Sequence, residues 1–187
     1  MGAIAAAYRV RLVLLLAAGL GCTGFLSRAT FVELPLLQDA VPTQLLIIVA
    51  AVTVATFPMY PLLPELSSTL VREVPVRAGL VALGLLLTAL SVTPGRDPTA
   101  IAIAGSLDDS FALALLTIGI VAVLLVGDYA WMAVMGSGFL AILVNSAPSA
   151  PVWRGLRMID TPLMLLMTLA AASFYVVLGP ARLRPET

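Results

Sequence analysis

The side chains in this chain that could do chemistry are few, and nearly all are acidic or hydroxylic. There is no histidine, and all ten basic residues are arginine. Nucleophile and base pairs are usually built with His or Lys, so Ser137, set in Gly136-Ser137-Gly138, has no base to activate it. Cys22 is the single cysteine. It lies in an apolar run, has no partner for an internal disulfide, and reads as a small buried hydrophobe. Metal sites need several Cys, His or acidic ligands at suitable spacing. No such cluster occurs in the sequence, so neither a metal nor a cofactor is expected. Asp108 and Asp109 precede an apolar run, where carboxylates can cap a helix N-terminus and meet its dipole. Asp160, beside Thr161 and Pro162, suits a cap in the same way, and Asp128 falls in a turn where it reaches water. No carboxylate sits at the middle of an apolar run. That argues against a proton relay, an ion pump or a paired-aspartate intramembrane protease, and the chain is not expected to be an enzyme.

The elements that carry these residues follow from composition. The chain is 61% hydrophobic and 11% charged, whereas soluble domains average about 45–50% apolar and about 25% charged. A chain of 187 residues cannot hide that much apolar surface from water, so lipid is its expected solvent and partner. The formal charge is zero, without the basic excess that holds nucleic acid. Arginine in place of lysine, with abundant Ala, Leu, Val, Gly and Pro, points to a high-GC bacterial genome and a bacterial cytoplasmic membrane. A bilayer core of about 30 Å takes about 20 apolar residues as helix. Six runs approach that length, at 10–26, 43–63, 76–92, 110–126, 129–145 and 162–179. They are continuously apolar rather than alternating, which favours helix over a membrane barrel. Residues 1–26 also have the outline of a signal peptide and are read as the first span. The expectation is an all-α, polytopic transmembrane protein of about six spans, forming one domain over 1–187.

Breakers fall between the runs. Pro42 starts the second. Pro94, Gly95, Asp97 and Pro98 follow the third, Pro148 and Pro151 follow the fifth, and Gly179-Pro180 stops the sixth. Gly127 and Asp128 divide an apolar stretch too long for one crossing. They read as a tight turn between two helices, the alternative being a single bent helix and five spans. With six spans, Arg9, Arg11, Arg72, Arg77, Arg182 and Arg184 share one side, against Arg28, Arg96, Arg154 and Arg157 on the other. The excess favours both termini in the cytoplasm.

Four segments could carry function. Pro58, Pro61 and Pro64 must bend or unwind the end of the second span, as a kinked terminus or as the joint of a moving helix. The segment ELSSTLVREV (65–74) then sets Leu66, Leu70 and Val74 on one helical face, with Glu65, Arg72 and Glu73 among its charged residues. It suits a short interfacial helix, ended by Pro75, that either lies on the membrane surface or docks into a partner's groove. In the fifth span, Ala133, Ser137, Ala141 and Asn145 form a small and polar stripe, for helix packing within the chain or as a subunit interface or pathway wall. Trp153, Arg154 and Arg157 suit an interfacial anchor or a cap over an exit path.

YPLLPELSSTLVREVPVRAGLVALGLLL resembles a stretch of small membrane subunits of bacterial ABC-type exporters, where a mixed-charge cytoplasmic segment follows the second span. LMTLAAASFYVVLGPARLRPE is similar to the last span and basic tail of such proteins. The resemblance implies a permease-like subunit that moves a hydrophobic or peptide-like substrate with a separate ATPase, together with further membrane subunits or copies of itself. The chain has no GxxxxGK[ST] loop and is not itself that ATPase. The other expectation is an accessory subunit that stabilises a larger membrane complex without forming a path.

Overall fold

The computed structural model describes residues 10–26, 31–33, 41–60, 73–92, 105–145 and 161–179. About 94% of these are helical, which establishes the all-α class. Helix α1 spans Val10–Leu26, α2 Thr43–Thr56 and α3 Glu73–Val92. Helix α4 spans Gly105–Val126, α5 Ala130–Asn145 and α6 Thr161–Leu178. Between α1 and α2 the chain forms a short antiparallel ladder, β1 (Phe31–Val32) on β2 (Val41–Pro42), which the sequence reading did not foresee.

Three helical stretches are long and apolar enough to cross a membrane: Val74–Val92, Asp109–Val144 and Thr161–Leu178. Two shorter apolar helices, Arg11–Thr23 and Thr43–Met59, accompany them. The middle stretch is 36 residues long, about 54 Å if straight, well over the roughly 30 Å of a bilayer core. It is a hairpin. Gly127 adopts φ 67 and opens a 3-10 turn, Gly127–Tyr129, a conformation at little cost to a residue without Cβ. A Cβ placed on Gly119 of α4 would lie 3.0 Å from Val134 Cγ2 of α5. In one straight helix these residues would be roughly 22 Å apart.

Side-chain pairings, with the α4–α5 hairpin, give every helix its direction. Gln44 Nε2, at the start of α2, donates to Ser91 O at the end of α3 (2.6 Å). Ser110 near the start of α4 meets Thr161 at the start of α6, hydroxyl to hydroxyl at 3.0 Å. The Tyr175 hydroxyl, late in α6, donates to Met59 O just beyond α2 (2.5 Å). Val13, early in α1, packs with Val54 and Ala55, late in α2. Consecutive helices therefore alternate in direction, and the start of α1 and the end of α6 lie at the same end of the bundle.

Helix boundaries differ from expectation at two places. Pro75 does not end an interfacial helix but sits in the first turn of α3, where a missing N–H would be unpaired anyway. Helix α4 starts at Gly105, so Asp108 and Asp109 lie inside its first turns rather than at its cap. Pro58 behaves as expected: after Thr56 the backbone tightens into a 3-10 turn, Phe57–Met59, with Pro58 in its first positions.

The core centres on α2, which is apolar all round and is buried accordingly. From Ile47 to Thr56 every residue except Ala50 is buried. Small residues on the surrounding helices make this possible. A Cβ on Gly119 would lie 2.5 Å from Thr56 Cγ2, and one on Gly138 of α5 would lie 2.7 Å from Val49 Cγ2. A Cβ on Gly84 of α3 would lie 2.7 Å from Met59 Cε. Three helices thus each seat a glycine against α2 or its extension. The outer wall is apolar, with Leu15, Leu125, Phe174, Val177 and Leu178 each at least 62% exposed, a surface suited to hydrocarbon rather than to water.

Candidate functional site

Most buried hydroxyls in the bundle are satisfied within their own helix. Thr53, Thr88 and Thr168 donate to the carbonyl four residues back, and Thr56 and Ser91 to the one three residues back. Thr117 and Thr168 bond across the α4–α6 contact at 2.9 Å. Among the described residues no buried side-chain polar atom lacks a partner. The Thr117–Thr168 pair is the interhelical part of this pattern, a polar link between helices in an apolar medium. Arg77, which the sequence reading used only for orientation, acts at the end of α6. Gly179 takes φ +77 and its N–H bonds Tyr175 O at 2.8 Å, an αL cap. Arg77 Nη1 donates to Val176 O at 3.3 Å, placing positive charge at the negative end of that helix.

An apolar pocket of about 430 Å³ lies between α1, α2 and α3. Helix α1 supplies Leu14, Ala17, Ala18 and Gly21; α2 supplies Ile47 and Ala51; α3 supplies Leu87, Leu90 and Ser91. Among the described residues Ser91 is the one polar side chain in this wall, and its hydroxyl is already committed to Thr88 O. The wall therefore offers contact area and no free hydrogen-bonding group, the chemistry of a slot for an acyl chain or another apolar body. The pocket exists because α1 packs thinly. Its one buried described residue is Val13, and a Cβ on Gly19 or Gly21 would meet nothing within 4 Å. Cys22, expected to be buried, is exposed for the same reason.

Of the docking residues expected from sequence, Glu65, Leu66, Leu70 and Arg72 lie outside the described residues, and Glu73 is the first residue of α3. Trp153, Arg154, Arg157 and Asp160 also lie outside them. The side chains of the α5 stripe are described as far as Ala141. Ala133, Ser137 and Ala141 are half-buried, and the Ser137 hydroxyl bonds Val134 O of its own helix at 3.1 Å. They flank the buried face, which is Ala130, Val134, Gly138 and Ile142, one residue further along at the same spacing of four. Asn145 ends the helix. Ala133 and Ala141 still pack against the core, and Gly138 marks the position where the backbone comes closest to α2.

Comparison with family models, with curated proteins and with solved structures found no match.

Proposed function

We propose that this chain is a six-span subunit of a bacterial cytoplasmic-membrane exporter, with both termini in the cytoplasm, which takes a hydrophobic substrate from the lipid phase and works with a separate ATPase. The observation that carries this reading is the apolar pocket between α1 and the α2–α3 pair, whose wall has one polar side chain, already bonded. Its volume of about 430 Å³ falls within the roughly 300–1,000 Å³ typical of small-molecule sites. The alternating helix directions support an even number of crossings, and the arginine distribution supports the orientation. The shorter α1 and α2 cross with local thinning of the bilayer. The chain supplies substrate contacts and no hydrolytic chemistry, so the energy comes from a partner, and the segment containing Glu65, Leu66, Leu70, Arg72 and Glu73 is the proposed dock for it.

Purification of a tagged chain in gentle detergent, followed by identification of what accompanies it, tests the reading. An ATP-hydrolysing subunit is expected, and its recovery should fall with Arg72→Glu or Glu73→Arg at matched membrane levels. Recovery of a large membrane enzyme without an ATPase would replace export by the accessory-subunit role.

A further inference from the structure

The reversal between α4 and α5 comes to lie beside the end of α2 and encloses a second pocket of about 310 Å³. It is distinct from the apolar pocket and shares none of its lining residues. Its wall contains three aromatic residues, Phe57, Tyr60 and Trp131, together with Thr56 and Asp128. Among the described residues no basic residue lines it, and none forms an ion pair or hydrogen bond with the Asp128 carboxylate. Asp128 and Trp131 are both exposed, so the pocket opens outward.

This combination is selective in its chemistry. Aromatic rings attract a cation positioned within about 6 Å of the ring centroid, and they do so best when the cation sheds water. A carboxylate adds the full charge. A single carboxylate is a poor site for a hard metal ion, which for calcium needs about 6–8 oxygen ligands. A bulky, weakly hydrated ammonium fits both the rings and the lone carboxylate. Anions and neutral acyl chains gain nothing from Asp128. We propose that this pocket binds an organic ammonium group, either that of a free cation such as choline or that of a lipid headgroup. Phe57, Tyr60 and Trp131 contact the cation and Asp128 balances its charge.

The test uses Trp131 as reporter. The chain has two tryptophans, so Trp153→Phe leaves Trp131 alone. The full chain in uncharged maltoside micelles is titrated with choline chloride against sodium chloride at matched ionic strength. A saturable change in Trp131 emission is expected. The neutral isostere 3,3-dimethylbutan-1-ol should produce none. Asp128→Asn should weaken binding about tenfold and Asp128→Glu should largely preserve it, while Tyr60→Leu should weaken it about fivefold. An equal response to the alcohol, or affinity unchanged by both Asp128→Asn and Tyr60→Leu, overturns the proposal. Circular dichroism checks folding, and Tyr60→Leu decides the matter if Asp128→Asn fails to fold. Bilayers then separate the sources. Weaker choline binding in phosphatidylcholine nanodiscs than in nanodiscs of an uncharged galactosyl diacylglycerol, which lacks an ammonium group, identifies the lipid headgroup as occupant, and equal binding identifies the free cation.

Discussion

Helices α1 and α2 are both short and apolar, yet one is at the outside of the bundle and the other at its centre. Nearly every residue of α2 from Ile47 onward is buried, whereas Leu12, Leu14, Leu15 and Leu16 of α1 are each at least 40% exposed. Hydrophobicity does not separate them, because in hydrocarbon a leucine gains little by moving from lipid to protein. Close approach does. Gly84, Gly119 and Gly138 each face side-chain atoms of α2 or its 3-10 extension, within 2.7 Å of where their Cβ would be. Gly19 and Gly21 of α1 face open space. Gly84, Gly119 and Gly138 are packing devices, and Gly19 and Gly21, which make no equivalent contact, leave the lateral pocket beside α1.

Substitutions can break this contrast. Gly119→Val should be the most damaging, since its position is pinched between Thr56 and Val134. A loss of about 3 kcal/mol is expected in mixed-micelle unfolding by SDS titration. Gly138→Ala, against Val49 alone, should cost about 1–2 kcal/mol in the same assay. Thr168→Val removes the bond to Thr117 across the α4–α6 contact and should cost about 0.6 kcal/mol, the average for such bonds in a membrane protein. Gly21→Ala should stay within about 0.5 kcal/mol of the parent, as for a site that touches nothing. Were Gly21→Ala as costly as Gly138→Ala, α1 would be packed as tightly as the rest and the pocket would not exist.

Much of this was legible in the sequence, and the failures have physical causes. Continuous apolar runs and their breakers located the helices, because Gly and Pro act locally. Gly179 was readable as a stop, and Gly127-Asp128 as a turn. Pro75 was misread because proline forbids a helix interior but is welcome in a first turn, and sequence alone does not say on which side the helix lies. The α5 stripe lies beside the most buried face of the helix, with Ala133 and Ala141 packed against the core, and Gly138 is the position that brings the backbone onto Val49. Burial could not be read at all for Cys22 or for the leucines of α1, since in a chain that is apolar throughout the pattern no longer distinguishes core from wall. Arg77 was visible as a basic residue at a helix start, but its contact with α6 spans 99 residues of sequence. The aromatic pocket likewise joins 56–60 to 127–131, segments with no shared motif.

The lateral pocket is open to direct observation. A diazirine-bearing aliphatic residue at position 87, introduced by site-specific incorporation into the chain in native bilayers, samples the pocket wall from α3. On irradiation, a pocket that admits apolar molecules from the membrane gives a product carrying a lipid acyl chain or another hydrophobic small molecule, and Ala51→Trp, which fills the space, suppresses it. Products confined to α1, with no apolar adduct before or after the Ala51→Trp change, would show α1 closed onto α2 and α3 and would contradict lateral capture of a substrate.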